Sequence, residues 1–123
     1  MITEVLKNFL LVGFGAMLGA MLRYAFLVSF HKPPLTIALI NISGSFLLGV
    51  VAGVWASKDS PWRLFMATGL LGGYTTYSTF SMDVVEQVQN KQILPALANV
   101  SIQTVGSIAL CFVGFAIGSR LSS

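Results

Sequence analysis

The apolar residues of this chain fall into four long runs with short polar punctuation between them. The runs extend from about Glu4 to Ser29, Leu35 to Ala56, Trp62 to Gln89 and Pro95 to Ser119. A helix needs roughly 20 mostly apolar residues to cross the hydrocarbon core of a bilayer, so each run predicts a membrane helix. His31, Lys32, Pro33 and Pro34 divide the first run from the second, and Asn90 to Leu94 divide the third from the fourth. Between the second and third lie Lys58 and Asp59, with Ser60 and Pro61 reading as an N-cap and its favoured first-position proline. Trp55 and Trp62 stand where interfacial anchors belong. Lys7 followed by the apolar stretch Phe9 to Leu22 has the outline of a secretion signal. No clear small-x-small cleavage site follows it, so it reads as a membrane helix.

The third run is unlike the others. From Thr68 to Asp83 it reads TGLLGGYTTYSTFSMD, with Gly69, Gly72 and Gly73 followed at once by Thr75, Thr76, Ser78, Thr79 and Ser81. Glycine inside a helix costs roughly 1 kcal/mol against alanine, and threonine hydroxyls compete for backbone partners. The spacing predicts a helix that starts, breaks near Gly72 to Thr76 and restarts. Backbone groups freed by a break at membrane depth are tolerated only where protein or a water-filled cavity covers them. Broken membrane helices therefore point to an ion or substrate site near the midplane.

Composition narrows the picture to one all-α membrane domain. Of 123 residues, 55% are hydrophobic and 9% charged, with a mean hydropathy of +0.83, so the function has to sit within the spans. The formal charge of +3 comes from Lys and Arg scattered at run ends, which gives no footprint for nucleic acid. Cys111 is the single cysteine and lies in an apolar run, where packing accounts for it, and no Cys/His cluster offers transition-metal spacing. Four spans place Lys7, Lys58, Arg63 and Arg120 on one side against Lys32, Lys91 and Arg23 on the other. Such a weak bias cannot orient a protein by the positive-inside rule, so the expectation is dual topology and an antiparallel homodimer. Three GxxxG pairs, Gly15 with Gly19, Gly49 with Gly53 and Gly114 with Gly118, predict intimate helix packing and oligomerisation.

The chain carries no buried carboxylate pair, serine triad, Walker loop or metal-ligand spacing, which disfavours an enzyme. It offers uncharged hydrogen-bond donors instead, among them Asn41, Thr75, Thr76, Ser78, Thr79, Ser81, Gln103 and Ser107. Asn99, Gln103 and Ser107 recur every four residues and share one helix face, either as a conducting track or as a polar seam between helices. Donors suit an anion, and the positive edges of Tyr77 and Phe80, three apart, can suit one too, although on spacing alone ordinary packing is the preferred account of that pair. Arg23 reads either as a snorkelling side chain or as a functional charge within membrane depth. Asp83 and Glu86 share a helix face; Glu86 marks the emerging end, and Asp83 fits an aqueous vestibule.

GGYTTYSTFSMD at Gly72 to Asp83, INISG at Ile40 to Gly44 and GAMLGAMLRY at Gly15 to Tyr24 together resemble the small fluoride channels of the Fluc (CrcB) family. The resemblance extends over all four spans in order. It implies passive, selective fluoride export through two pores in an antiparallel dual-topology homodimer of the bacterial inner membrane, with a central structural sodium ion. It implies that the carbonyls of Gly72 and Thr75 hold the sodium, that Asn41 donates to fluoride, and that Tyr77 and Phe80 present ring edges to it. Thr79, Ser81, Gln103 and Ser107 are expected along the pore, with Arg23 and Asp83 at the vestibules. Tyr77 departs from the family, which usually has phenylalanine there. The competing classes are a small multidrug/proton antiporter and a non-transporting membrane scaffold. The antiporter needs a carboxylate well inside the first span, where the only candidate is Glu4; the scaffold leaves the hydroxyl-rich break unexplained.

Overall fold

The computed structural model describes residues 1–123 and contains only helices. Helix α1 (Ile2–Phe30) ends at His31, whose left-handed φ of 53° lets its N–H return to Leu27 O. Helix α2 (Pro33–Val54) opens with prolines in its first turn, where a missing N–H breaks no helical hydrogen bond. The third segment begins as α3 (Pro61–Arg63), capped by Ser60 Oγ accepting from Trp62 N. It widens into a π-helical stretch (Leu64–Leu71) and closes as α4 (Gly72–Tyr74). Helix α5 (Tyr77–Gln89) and helix α6 (Ile93–Ser122) complete the chain.

Helices α1, α2 and α6 are long and apolar enough to cross a membrane, with hydropathies of 1.8, 2.1 and 1.9. The third segment is not one helix, and its division is sharper and later than glycine content predicts. Gly72 keeps helical angles, and no glycine has positive φ; the chain turns extended only at Thr75 (φ −81°, ψ 157°) and Thr76 (φ −150°, ψ 115°). The threonines make the break. Thr75 turns its hydroxyl back onto Leu71 O at 3.2 Å, and Thr76 Oγ1 accepts from Thr79 N at 3.2 Å, capping α5.

The glycines serve contact instead. A Cβ on Gly15 would sit 2.7 Å from Leu70 N, and one on Gly73 would sit 2.8 Å from the Cα of Ala16, so α1 lies directly against the π stretch and α4. Helices α2 and α6 meet in the same way. A Cβ on Gly53 would stand 2.7 Å from Ser119 N, and one on Gly114 would stand 3.1 Å from Val50 N. All three GxxxG pairs are thus used within one chain, which removes them as the stated basis for oligomerisation.

Ile37, Ile40, Val51, Leu71, Tyr74 and Phe80 form the apolar centre where α2, the π stretch, α4 and α5 converge. Only 21 of 123 residues are buried, because the outward helix faces, with Phe9, Phe14 and Phe112, remain exposed and apolar. That is the surface of a multi-pass membrane protein, with lipid as solvent.

Candidate functional site at the helix break

The break is held from α2. Asn41 clasps the backbone of Thr76 from both ends: Thr76 N donates to Asn41 Oδ1 at 2.8 Å, and Asn41 Nδ2 donates to Thr76 O at 3.0 Å. A continuous helix would give the Thr76 amide to Gly72 O, and the Thr79 amide to Thr75 O. Here the first goes to Asn41 and the second to the Thr76 hydroxyl, so the Gly72 and Thr75 carbonyls lose their helical donors. Gly73 O, between them, accepts from Arg23 Nε at 3.2 Å.

Beside the clasp lies a cavity of about 310 Å³, lined by Asn41, Ser45, Thr75, Thr76, Gln103 and Ser107 together with Tyr77 and Phe80. Its polar lining carries no charge. The Tyr77 and Phe80 rings meet edge to face, with centroids 5.4 Å apart at 68°. Phe80 is buried, whereas Tyr77 is 80% exposed on the single chain.

From Asn41 the hydrogen bonds continue along amides. Asn41 Nδ2 donates to Gln103 Oε1 at 2.7 Å, Gln103 Nε2 to Asn99 Oδ1 at 2.7 Å, and Asn99 Nδ2 to Gln87 Oε1 at 3.2 Å. Asn99 and Gln103 are buried, so their amides need these partners.

The structure therefore brings Asn41, Tyr77, Phe80, Gln103 and Ser107 to one cavity, with the Thr75 residue on its wall. Thr79 lies outside that lining and serves the Thr76 cap, accepting from Thr76 Oγ1 at 3.1 Å. Ser81 is also outside it, with its hydroxyl returned to Tyr77 O at 2.9 Å. Arg23 reaches the break, where its Nε donates to Gly73 O. Asp83 is buried within the chain, 6% exposed and with Oδ2 unpartnered. Gln87 was not among the sequence candidates. The signal lay in its register, since Phe80, Asp83 and Gln87 fall on one face of α5.

Fold and site together define a small multi-pass membrane protein whose uncharged polar path meets a broken helix. Residues 10–115 match the family model described as "CrcB-like protein, Camphor Resistance (CrcB)", and the chain belongs to that family. It is 41% identical over 119 residues to "Fluoride-specific ion channel FluC 1" of Listeria innocua serovar 6a, covering 93% of this chain and 99% of the relative. Against "Fluoride-specific ion channel FluC" of Pseudomonas putida (strain W619) the identity is 36% over 120 residues, 91% of this chain and 94% of the relative. Against "Fluoride-specific ion channel FluC 2" of Nitrobacter hamburgensis it is 40% over 122 residues, 93% and 95%. The family is one of ion channels, not of enzymes.

Proposed function

We propose that this protein is a fluoride-selective channel that lets fluoride leave the cell passively across a bacterial inner membrane. The observation that carries this reading is the cavity at the break, lined by neutral hydrogen-bond groups and two aromatic rings, in a chain whose relatives are named fluoride-specific channels. Fluoride is small and tightly hydrated, so a pore has to replace its water with close donors. Asn41 is suited to that task because the Thr76 backbone fixes its amide orientation, and its second Nδ2 N–H, given to Gln103 Oε1 in the cavity lining, is the donor an ion would take over. The edges of Tyr77 and Phe80 add positive potential without a fixed charge that would trap the ion.

The working unit is an antiparallel homodimer of dual topology with two pores. The near balance of Lys and Arg across the spans supports it, as does the 80% exposure of Tyr77, a cavity residue that one copy leaves uncovered. Gly72 and Thr75 would hold a sodium ion through their carbonyls. Both have lost their helical donors, and carbonyl oxygens are the hard ligands a sodium ion takes at an unwound membrane helix. Two carbonyls make a partial shell, which a second copy would complete. The ion would supply positive charge beside two carbonyls that have lost their helical donors.

The test is fluoride efflux from liposomes holding the purified protein, read with a fluoride electrode and repeated with chloride. Rapid fluoride loss with negligible chloride loss is the expected result. Folded protein that moves neither ion would point to the scaffold class.

A further inference from the structure

The four amides of Asn41, Gln103, Asn99 and Gln87 form one directional chain, and its direction is set at a single point. Asn41 cannot turn over, because the Thr76 amide needs its Oδ1 and the Thr76 carbonyl needs its Nδ2. Its second N–H therefore faces Gln103 and demands an oxygen there. Gln103 must then turn its N–H to Asn99, and Asn99 its own to Gln87. Every carbonyl in the relay looks back toward the break, and the last free donor is Gln87 Nε2. Gln87 stands ten residues beyond Tyr77 on α5, so at 1.5 Å per residue the relay ends about 15 Å from the break, half of a roughly 30 Å core.

The relay has a second arrangement of nearly equal quality. If Gln103, Asn99 and Gln87 all turn over, Gln87 donates to Asn99 and Asn99 donates to Gln103, and both links survive. Only the Asn41 link is lost, because two N–H groups then face each other across the cavity wall. Two convergent donors are unfavourable when empty and ideal when an anion lies against both. We infer that Gln103, Asn99 and Gln87 reverse together when an anion seats beside Asn41, so that Gln103 becomes its second donor and Gln87 reports occupancy at the mouth. This rests on the anion-channel reading above. An empty site shows an N–H at Gln87 to incoming anions, and an occupied site shows them a carbonyl. Gln87 and Asn99 are in this sense positioning residues for the Asn41 site, acting through Gln103.

The test uses the whole protein in lipid at pH 8, where an exposed carboxylate is ionised. Gln87→Glu can only accept, so it holds Asn99 and Gln103 in the empty orientation, whereas Gln87→Leu removes the constraint altogether. Gln87→Glu is expected to lower fluoride flux at least tenfold at both low salt and 1 M salt, with Gln87→Leu clearly less impaired. In 1 M salt the Debye length is about 3 Å, so simple repulsion at the mouth would be relieved there. The second readout is the 15N side-chain amide resonance of Gln87, which should shift on fluoride addition in the wild type and not in Asn99→Leu. Equal behaviour of the two Gln87 variants, recovery of Gln87→Glu in high salt, or an unresponsive Gln87 amide in a conducting wild type would each overturn the relay and leave the channel reading intact. A folded wild type that neither binds nor conducts fluoride removes both.

Discussion

Replacing Asn41 with leucine, close in shape but without polar atoms, removes the clasp that holds the break. Three hydrogen bonds go: Thr76 N to Oδ1 at 2.8 Å, Nδ2 to Thr76 O at 3.0 Å and Nδ2 to Gln103 Oε1 at 2.7 Å. Gln103 lines the cavity, so water can reach its freed oxygen and that loss is minor. Thr76 is only 9% exposed and its amide has no other partner, whereas its carbonyl, at the N-cap of α5, is positioned for the first helical N–H. An unsatisfied buried group costs about 1–3 kcal/mol, and that is the local penalty. The cost falls on local opening of the segment around Thr76, because α2 and α6 keep their glycine contacts. Hydrogen exchange in nanodiscs reads this at the Thr76 amide. At about 1.4 kcal/mol per tenfold, its protection should drop at least about fivefold, with the α2–α6 amides changed far less. Thr76 protection within about threefold of wild type in Asn41→Leu would refute the reasoning, because the break would then be held by something other than Asn41.

Gly114→Ala should lower stability by about 1–3 kcal/mol by pushing α6 off the α2 backbone, while Gly13→Ala, with nothing within 4 Å of its Cβ, should be neutral or gain up to about 1 kcal/mol; denaturant unfolding in detergent compares them. Thr76→Ser keeps the cap on Thr79 N and should match wild type, whereas Thr76→Ala should cost about 0.5–2 kcal/mol by the same measurement. Thr75→Ser leaves the backbone carbonyl and the hydroxyl in place and should leave the sodium dependence of flux unchanged within about twofold; a large loss would implicate the side-chain methyl, which packs toward Gly44, or the backbone conformation.

Much of the fold is legible because lipid imposes a simple rule: a helix that crosses has to be apolar for its whole length. Helices α1, α2 and α6 obey it and stand out. The break is harder to place, because glycine near membrane depth has two meanings, flexibility and close approach, and sequence does not separate them. Gly72 and Gly73 lie in α4, where Gly73 admits Ala16, and the extended residues are Thr75 and Thr76. The GxxxG pairs are ambiguous in the same way, since the motif says that a helix comes close but not whose. Gly49 and Gly53 meet the backbone of α6, and Gly114 and Gly118 meet that of α2.

At the site, the residue types were visible and their meetings were not. Asn41 and Gln103 lie far apart in the chain and meet only because α2 and α6 zip together through glycine. Gln87 near the end of an amphipathic half-helix reads as a solvated residue, and only the proximity of Asn99 gives it a partner. Asp83 carries the same lesson in reverse. A carboxylate near a helix end suggests water, yet the α5 face it shares with Phe80 turns inward.

The central claim is a fluoride-selective path at the break, and its most direct test is the reversal potential in a planar bilayer with fluoride tenfold higher on one side and chloride tenfold higher on the other. The account predicts a current that reverses at the potential set by fluoride alone and vanishes in Asn41→Asp, where a carboxylate replaces the donor. A current that reverses near the chloride potential, or that persists undiminished in the Asn41→Asp variant, would contradict it.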